Sequence, residues 1–301
     1  MASTTYSFAK AVALTDYQPA FRSKTDEQLW AYDKVCTMKD TSRATEQVFS
    51  FSGLPSASQT GELEPVFYTD MNELGATTFT VNKFTLATMM SHELIKDNIH
   101  LPDLMKEAGV AAKESHNYVK AAAIAAIFNR AFNSSYPMYD GVELCGTHTM
   151  KDGTSYDNDL TAASLTFDNL WLAINHYETT LVSHSGLYLR DKPECLVYHP
   201  SKEKEVQALL KSQLEPGTAD NDKNTIRDYN LKPVPNRFLS TSTNWFLTGS
   251  KFKKDLQFWN RESPSYDTDD DFDRMAMKFR SYQRFAVGVR EFLYIVGNPG
   301  A

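Results

Sequence analysis

The most informative stretch of this sequence runs from Ala76 to Thr88 and reads Ala-Thr-Thr-Phe-Thr-Val-Asn-Lys-Phe-Thr-Leu-Ala-Thr. Within each half, apolar side chains recur at every second position, which is the period of a β-strand. An earlier extended run begins at Val48, and the residues between the two runs are rich in Gly, Pro and Ser. This pattern predicts a long β-hairpin or extended loop over residues 46–90. Because a two-stranded ribbon is only marginally stable alone, we expect it to lie on a neighbour.

A long helix is predicted directly after this loop, from Pro102 to Phe132. Pro102 suits the first turn of a helix, and Asp103 places a negative charge near its positive end. The many alanines predict a narrow stripe against which another element packs closely, and Gly109 is a weak position inside it. Small and apolar residues recur at close to helical spacing, at Leu101, Leu104, Met105, Ala108, Ala111, Ala112, Ser115, Val119, Ala122, Ala126 and Phe132.

The remaining segments predict a mixture of helices and strands, and therefore an α+β protein with local α/β order. Residues 1–45 are a polar N-terminal arm, whose aromatic side chains Phe21, Trp30 and Tyr32 favour docking on another surface. We also predict a small hairpin within residues 140–158, a surface loop over 215–235, helices over 164–179 and 202–213, and strands over 194–200, 238–248, 256–259 and 278–297.

The composition is that of an ordinary globular chain of 301 residues, with 42% hydrophobic and 23% charged residues. It excludes a disordered chain, a collagen-like fibre and a small disulfide scaffold. Lys and Arg number 31 against 38 Asp and Glu, which gives a net charge of −7. This deficit argues against a surface that grips nucleic-acid phosphates, since such surfaces need clustered cations. It leaves open a protein that encloses nucleic acid without holding it.

Cysteine usage and hydropathy favour a soluble protein made in a reducing compartment. Cys36, Cys145 and Cys195 are an odd and widely spaced set, which is not a disulfide framework. The N-terminus lacks the basic and apolar regions of a secretory leader. The most apolar stretch, residues 121–128, is too short to cross a bilayer, so no membrane partner is expected.

No motif for common catalytic chemistry is present, and we predict no catalytic, cofactor-binding or metal site. The glycine-rich nucleotide motifs and the serine-hydrolase motif are missing. Cys145 and His148 are close enough in sequence to act as nucleophile and base, but no third group that would orient the base can be identified. No pair at the usual metal-ligand spacing occurs among the histidines, which are His92, His100, His116, His148, His176, His184 and His199.

Two acidic stretches partly match calcium-binding loops. Residues 220–224 have the oxygen spacing of such a loop, but Thr225 replaces the required Gly and Leu231 stands where a Glu is needed. Residues 267–271 fail in the same way, with Phe272 at the Gly position. We predict a solvated turn at the second stretch rather than an ion site, with cation binding as the open alternative.

The order of these elements resembles the Johnson fold of tailed-bacteriophage major capsid proteins, in which an arm, an extended loop and an alanine-rich spine helix follow one another. Residues 140–170 are similar to a subfamily of phage head subunits. This segment begins with Asp-Gly, contains His148 and ends with Leu-Thr-Phe-Asp-Asn-Leu. The C-terminal part resembles the family at residues 245–249 (Trp-Phe-Leu-Thr-Gly), 270–272 (Asp-Asp-Phe) and 283–287 (Gln-Arg-Phe-Ala-Val). Together these matches cover nearly the whole chain.

The resemblance implies a division of the chain into five parts and a shell-forming function. Arm and loop would lie over neighbouring subunits, and hexamers and pentamers would close into an icosahedral virion shell around double-stranded DNA. Assembly in the host cytoplasm, a portal and a decoration protein are further expectations. The five parts are an N-terminal arm (1–45), the extended loop (46–90), a peripheral domain with the spine helix (91–160), an axial α/β domain (161–262) and C-terminal strands that complete the peripheral domain (263–301).

This sequence departs from the family in two ways. Some relatives join subunits by a Lys–Asn isopeptide bond, but the position expected to carry that Asn falls near Met275. Although Lys83 lies in the extended loop, we therefore predict no covalent cross-link. No long charged helical segment precedes the arm, so a separately encoded scaffolding protein is expected.

Two other functions stay as alternatives at this point. The same fold would suit an encapsulin-type compartment that holds enzyme cargo, although residues 140–170 favour a head subunit. A small-molecule enzyme using Cys145 and His148, or the acidic stretches, is the alternative outside this fold.

Overall fold

The computed structural model describes residues 17–23, 29–97, 101–216 and 222–301. Its mixed helices and strands confirm the predicted α+β class. The helices are α1 (Gln18–Ser23), α2 (His92–Asp97), α3 (Leu101–Asn129), α4 (Phe167–Thr180), α5 (Glu203–Lys211) and α6 (Phe252–Asp255). The strands are β1 (Thr37–Asp40), β2 (Thr45–Phe51), β3 (Glu73–Thr80), β4 (Asn82–Ser91), β5 (Thr147–Thr149), β6 (Ser155–Asp157), β7 (Pro193–Tyr198), β8 (Lys232–Pro235), β9 (Trp245–Gly249), β10 (Leu256–Asp271), β11 (Ala276–Val289) and β12 (Ile295–Asn298).

The first sheet has the strand order β1-β10-β11-β4, and the long helix α3 packs against its two central strands. The strands β10 and β11 form a long antiparallel hairpin, while β1 joins β10 in parallel. The rings of Phe84, Phe285 and Phe258 stack across three of these strands, with centroids 4.5 and 4.9 Å apart. Helix and sheet are also joined by polar contacts, since His116 Nε2 lies 2.9 Å from Ser281 Oγ. Burial lowers the pKa of His116.

The second sheet has the order β12-β9-β7-β8, and its inner strands carry the densest part of the core. Every residue of the inner strand β9 is buried, and so is every residue of β12 at the edge of the sheet. The end of α3 reaches this sheet, where the Phe128 ring lies 5.3 Å from that of Phe246. One buried cluster therefore runs from α3 and β10 through to β7, β9 and β12.

The extended loop differs from the long hairpin predicted for residues 46–90. The run from Ala76 to Thr88 breaks at Val81: β3 pairs with β2, whereas β4 leaves the ribbon and pairs with β11. Residues 52–72 contain no strand. The physical reason is that β4 gains a stable sheet partner in the body of the protein, while a ribbon with only two strands extends for just a few residues.

Several other boundaries also differ from the prediction. Helix α3 ends at Asn129, three residues before the predicted end. The strand predicted at 256–259 continues to Asp271, and the strand predicted at 278–297 is two strands, β11 and β12. Only the end of the strand predicted at 238–248 is a strand, and the predicted loop at 215–235 contains a helical turn and β8. The small hairpin predicted within 140–158 is confirmed as β5 and β6.

The arm packs on its own chain in the part that the structure describes. Tyr17 and Phe21 are buried against α3 and β11, in a cluster with Met105 and Phe279. Trp30 is buried as well, and its indole nitrogen donates a hydrogen bond to the carbonyl of Ala121 on α3. The aromatic residues do dock, as predicted. Their surface belongs to the same chain, which differs from the expectation that the arm lies over a neighbouring subunit.

Candidate assembly surfaces

The tip of the extended loop exposes a group of large apolar side chains. In residues 52–72 all side chains except that of Ser52 are exposed, and Leu63, Phe67 and Tyr68 are 101%, 76% and 98% accessible. The tip carries three acidic residues and no basic one. Soluble monomers rarely expose many large apolar side chains close together in sequence, so the tip has the properties of a contact surface.

The root of the loop is firmly attached to the body of its own chain. Phe79 of β3 is buried against Gly288 of β11, where any side chain would overlap the phenyl ring. A Cβ added at Gly75 would lie 2.9 Å from Tyr139 Cβ, so β3 also passes very close to that tyrosine. Directly after β2, the Ser185 hydroxyl donates a hydrogen bond to the Ser52 carbonyl. The loop therefore projects from a fixed base.

A buried polar cluster lies directly beneath this root. The Tyr139 hydroxyl donates to Glu291, with oxygen–oxygen distances of 2.9 and 3.2 Å. His184 Nε2 lies 3.1 Å from the same hydroxyl and 3.4 Å from Glu291 Oε1. Because the tyrosine proton is directed to Glu291, the hydrogen-bond pattern places a proton on His184 Nε2. Burial, followed by the charge of Glu291, raises the pKa of Tyr139 far above its ordinary value.

Cys145 and His148 do not form a catalytic pair. His148 Nδ1 lies 2.6 Å from Asp140 Oδ2 and Nε2 lies 3.4 Å from the Leu144 carbonyl, so both ring nitrogens face acceptors other than the thiol. The imidazole also stacks on Phe292 at a centroid distance of 3.6 Å. Burial raises the pKa of the Cys145 thiol well above its ordinary value, which opposes formation of a nucleophilic thiolate. Both residues are part of the core.

The acidic run at residues 267–271 is strand rather than the predicted solvated turn. It forms the end of β10, opposite basic residues of β11: Asp267 pairs with Arg280 at 2.9 Å and Asp271 with Lys278 at 2.6 Å. These cross-strand ion pairs offset the repulsion among the carboxylates. The sequence pattern missed this because the basic partners come from the next strand.

The other acidic stretch lies only partly in the described residues, since Asp220 and Asn221 fall outside them. Within the described part, Asn224 is buried and serves as a local cap. Its amide nitrogen donates to the carbonyls of Leu209 and Ser212 at 2.7 and 3.1 Å, and its oxygen accepts from the Ile226 amide. The side chain is therefore fully engaged in closing the turn after α5.

Lys83 and Met275 lie at separate ends of the first sheet. Lys83 is near the start of β4, opposite Arg284 of β11, and its ammonium lies 5.4 Å from the centre of the Tyr282 ring. Met275 is 59% exposed in the turn between β10 and β11 and has a φ of +49°, a conformation that Gly and Asn adopt more readily than Met.

The described part of the chain contains neither a candidate metal-binding site nor a helix that could span a membrane. In residues 17–23, 29–97, 101–216 and 222–301, no three His, Cys, Asp or Glu side chains are grouped so that they could hold a metal ion. Over the same residues, no helix combines the length and hydropathy needed to span a bilayer. The buried carboxylate of Asp255 pairs with Arg290 at 2.6 Å, which links α6 to the residue that follows β11. Burial raises the pKa of Asp255 to about 6 despite this partner.

Comparisons with known proteins agree on one kind of protein. Similar solved structures include that of Microbacterium phage Oxtober96 (TM-score 0.60, 10% identity, 90% of this chain and 91% of that one) and the capsid of the cyanophage P-SCSP1u (TM-score 0.61, 10% identity, 92% and 90%). The capsid of an empty GTA particle aligns with a TM-score of 0.55 and 11% identity over 92% and 91% of the two chains. No match was found among curated proteins. Residues 74–298 match the family described as phage capsid protein, and the chain therefore belongs to that family.

Proposed function

We propose that this chain is the major head subunit of a tailed phage and that it assembles through hexamers and pentamers into an icosahedral shell around double-stranded DNA. The subunit acts by assembly rather than by catalysis. The exposed apolar tip of the extended loop carries this proposal, because no part of the chain that the structure describes covers it. Each copy would contribute its tip to one neighbour and receive the tip of another, which repeats one contact around the ring.

The magnitude of this contact is compatible with a shell held by many modest interfaces. Phe67 and Tyr68 each bring about 150–250 Å² of side-chain surface to a contact. A pair of aromatic anchors is a usual core for a protein interface, with polar residues around it. The net charge of −7 also suits a container for DNA, since an interior lined with cations would hold the genome against packaging and release.

The remaining parts of the proposal concern the life cycle of the particle. The division into arm, loop, peripheral domain, axial domain and C-terminal strands describes how the subunit would sit in a hexamer. Assembly takes place in the host cytoplasm with a separate scaffolding protein, a portal and possible room for a decoration protein. Lys83 forms no isopeptide bond, since no Asn occupies the turn around Met275.

The experiment is assembly of the overexpressed protein, with closed particles or capsomer rings counted by negative-stain microscopy. We expect particles from the native chain and a loss of particles from the double variant Phe67→Ser, Tyr68→Ser. The variant Gln59→Ser is the matched control, because it changes an exposed position of the same loop without removing apolar surface. Equal assembly of all three proteins would contradict the role of the loop tip.

The content of particles purified from infected host cells separates the phage head from an enzyme compartment. A shell of the proposed function contains double-stranded DNA that a nuclease cannot reach. Particles filled with a second protein and free of DNA would instead indicate the encapsulin-type compartment.

A further inference from the structure

The strand β4 has one edge without a partner among the described residues. It is the last strand of its sheet, and it pairs only with β11, over all ten of its residues from Asn82 to Ser91. Adjacent residues of a strand direct their backbone N–H and C=O groups to opposite edges. About half of the β4 backbone groups therefore face away from the sheet, along an edge of roughly 33 Å.

Within the described residues, β4 lacks the usual protections of an edge strand. Proteins normally blunt such edges with prolines, bulges, several charged side chains or a covering element. The sequence of β4, Asn-Lys-Phe-Thr-Leu-Ala-Thr-Met-Met-Ser, contains no proline and one charge, Lys83. Its pairing with β11 has no register shift from end to end. A regular edge of this length with a single charge is a template for another strand.

The sheet surface beside this edge also has room for added side chains. Ala87 and Met89 of β4 point to the outer face of the sheet, and Met89 is 51% exposed. Together with Lys278 and Arg280 of β11 they line a groove of about 580 Å³. The small side chain of Ala87 leaves space at the border of the groove. A strand added to β4 would place alternate side chains over this border.

We propose that β4 is an interface strand, and that a strand from a second copy of this chain pairs with its free edge and extends the sheet from one subunit into the next. The inference rests on the proposed function, because a shell subunit is surrounded by copies of itself. That environment makes a second copy the partner: the edge is available in every subunit, and the chain belongs to a family of proteins that build capsids. An edge left open in a shell would promote uncontrolled aggregation instead of closure.

Hydrogen exchange read residue by residue tests the pairing directly. In the isolated subunit, the β4 amides that face β11 should exchange slowly and the alternate set that faces outward should exchange freely. In assembled particles, we expect the outward set to slow by about a hundredfold or more, as amides in a paired strand do. Outward amides that still exchange freely in closed particles would overturn the proposal and leave the shell function intact.

Proline substitutions at two adjacent positions supply a matched pair of variants. Ala87→Pro and Thr88→Pro remove N–H groups that face opposite edges. The variant whose N–H faces β11 should destabilise the subunit, because it loses a hydrogen bond of the sheet. The variant whose N–H faces outward should fold with an unchanged melting temperature and lose particle formation.

The outcomes distinguish the two proposals. If the outward-facing proline variant assembles as well as the native chain, β4 is not an interface strand. If the outward amides become protected only when a different protein is added, the partner is not a second copy and the inference is wrong. If the native protein forms neither particles nor rings under any condition, the proposed shell function itself fails.

Discussion

Replacing Gly109 by alanine should release the arm from the long helix without weakening the helix. Gly109 lies inside α3, where a glycine is otherwise unfavourable. The structure explains its presence: a Cβ at this position would lie 2.8 Å from the carbonyl oxygen of Tyr17 and 3.3 Å from the Phe21 amide nitrogen. The helix α1 therefore rests on the bare backbone of α3, and a single methyl group is enough to disturb the contact.

The substitution changes two free energies, but only one of them affects docking of the arm. Alanine stabilises a helix relative to glycine by about 1 kcal/mol, and this gain is the same whether the arm is docked or not. Forcing an extra methyl into a tight contact costs about 1–3 kcal/mol, and only the docked state bears this cost. The equilibrium constant for docking should thus fall about five- to 150-fold. Tyr17 and Phe21, each 3% exposed in the native chain, would become accessible.

The assay is hydrogen exchange of peptides that cover residues 17–23 and the adjoining part of α3, compared with thermal unfolding of the whole subunit. Phe21→Ala is the positive control, because it removes the main apolar anchor of the arm. Ala111→Gly is the negative control, since it lies on an exposed part of α3 and changes helix propensity alone. If Gly109→Ala keeps the native protection of residues 17–23, the argument from backbone approach is refuted.

Three further results are expected. Burial raises the pKa of Asp140, but the hydrogen bond and charge of His148 lower it more, so the folded pKa lies below the ordinary value. This pair therefore contributes stability above the ordinary carboxyl pKa, and the contribution is lost as the pH falls through the folded pKa. The melting temperature of Asp140→Asn should lack that part of the dependence on acidic pH. An unchanged pH dependence in this variant would contradict the assignment. Mature particles boiled in detergent should give one monomer band, because Lys83 has no Asn acceptor near Met275, and a ladder of multimers would show the opposite. A thiol reagent should label the native subunit slowly and the unfolded chain three times, since all of the thiols are buried: Cys36, Cys145 and Cys195.

The helices and strands of this fold could be predicted from the sequence better than the pairing of the strands with one another. Periodicity is a local property, so the helix α3, the strand β7 and the small hairpin of β5 and β6 were all recognisable from a few neighbouring residues. Val81 shows the limit: the alternation changes phase after it, from Phe79 and Val81 to Phe84 and Leu86, but this change does not tell that the strands on either side belong to different sheets. Which strand pairs with which depends on contacts distant in sequence, and these leave no local pattern.

The polar residues of the loop root were missed for the same reason. Tyr139, His184 and Glu291 are separated by 45 and 107 positions, and none belongs to a motif with a fixed spacing. Gly109 was noticed only as a weak helix position, since the arm that requires it is about 90 residues away. The glycine at position 109 was a visible signal, but its meaning depended on a partner distant in sequence.

The extended loop and the arm are held against their own chain at some places, whereas other surfaces have no partner among the described residues. The loop root is held by Phe79, by the Ser185–Ser52 hydrogen bond and by the cluster around Tyr139, and α1 is held by aromatic packing. What stays without a partner in the described chain is the loop tip and the edge of β4. A flexible loop would lose conformational entropy on docking, and a weak contact could not repay that loss. Because the base of the loop is already held in place, only the tip has to be ordered on docking, so the entropy loss is smaller and a modest contact can become favourable.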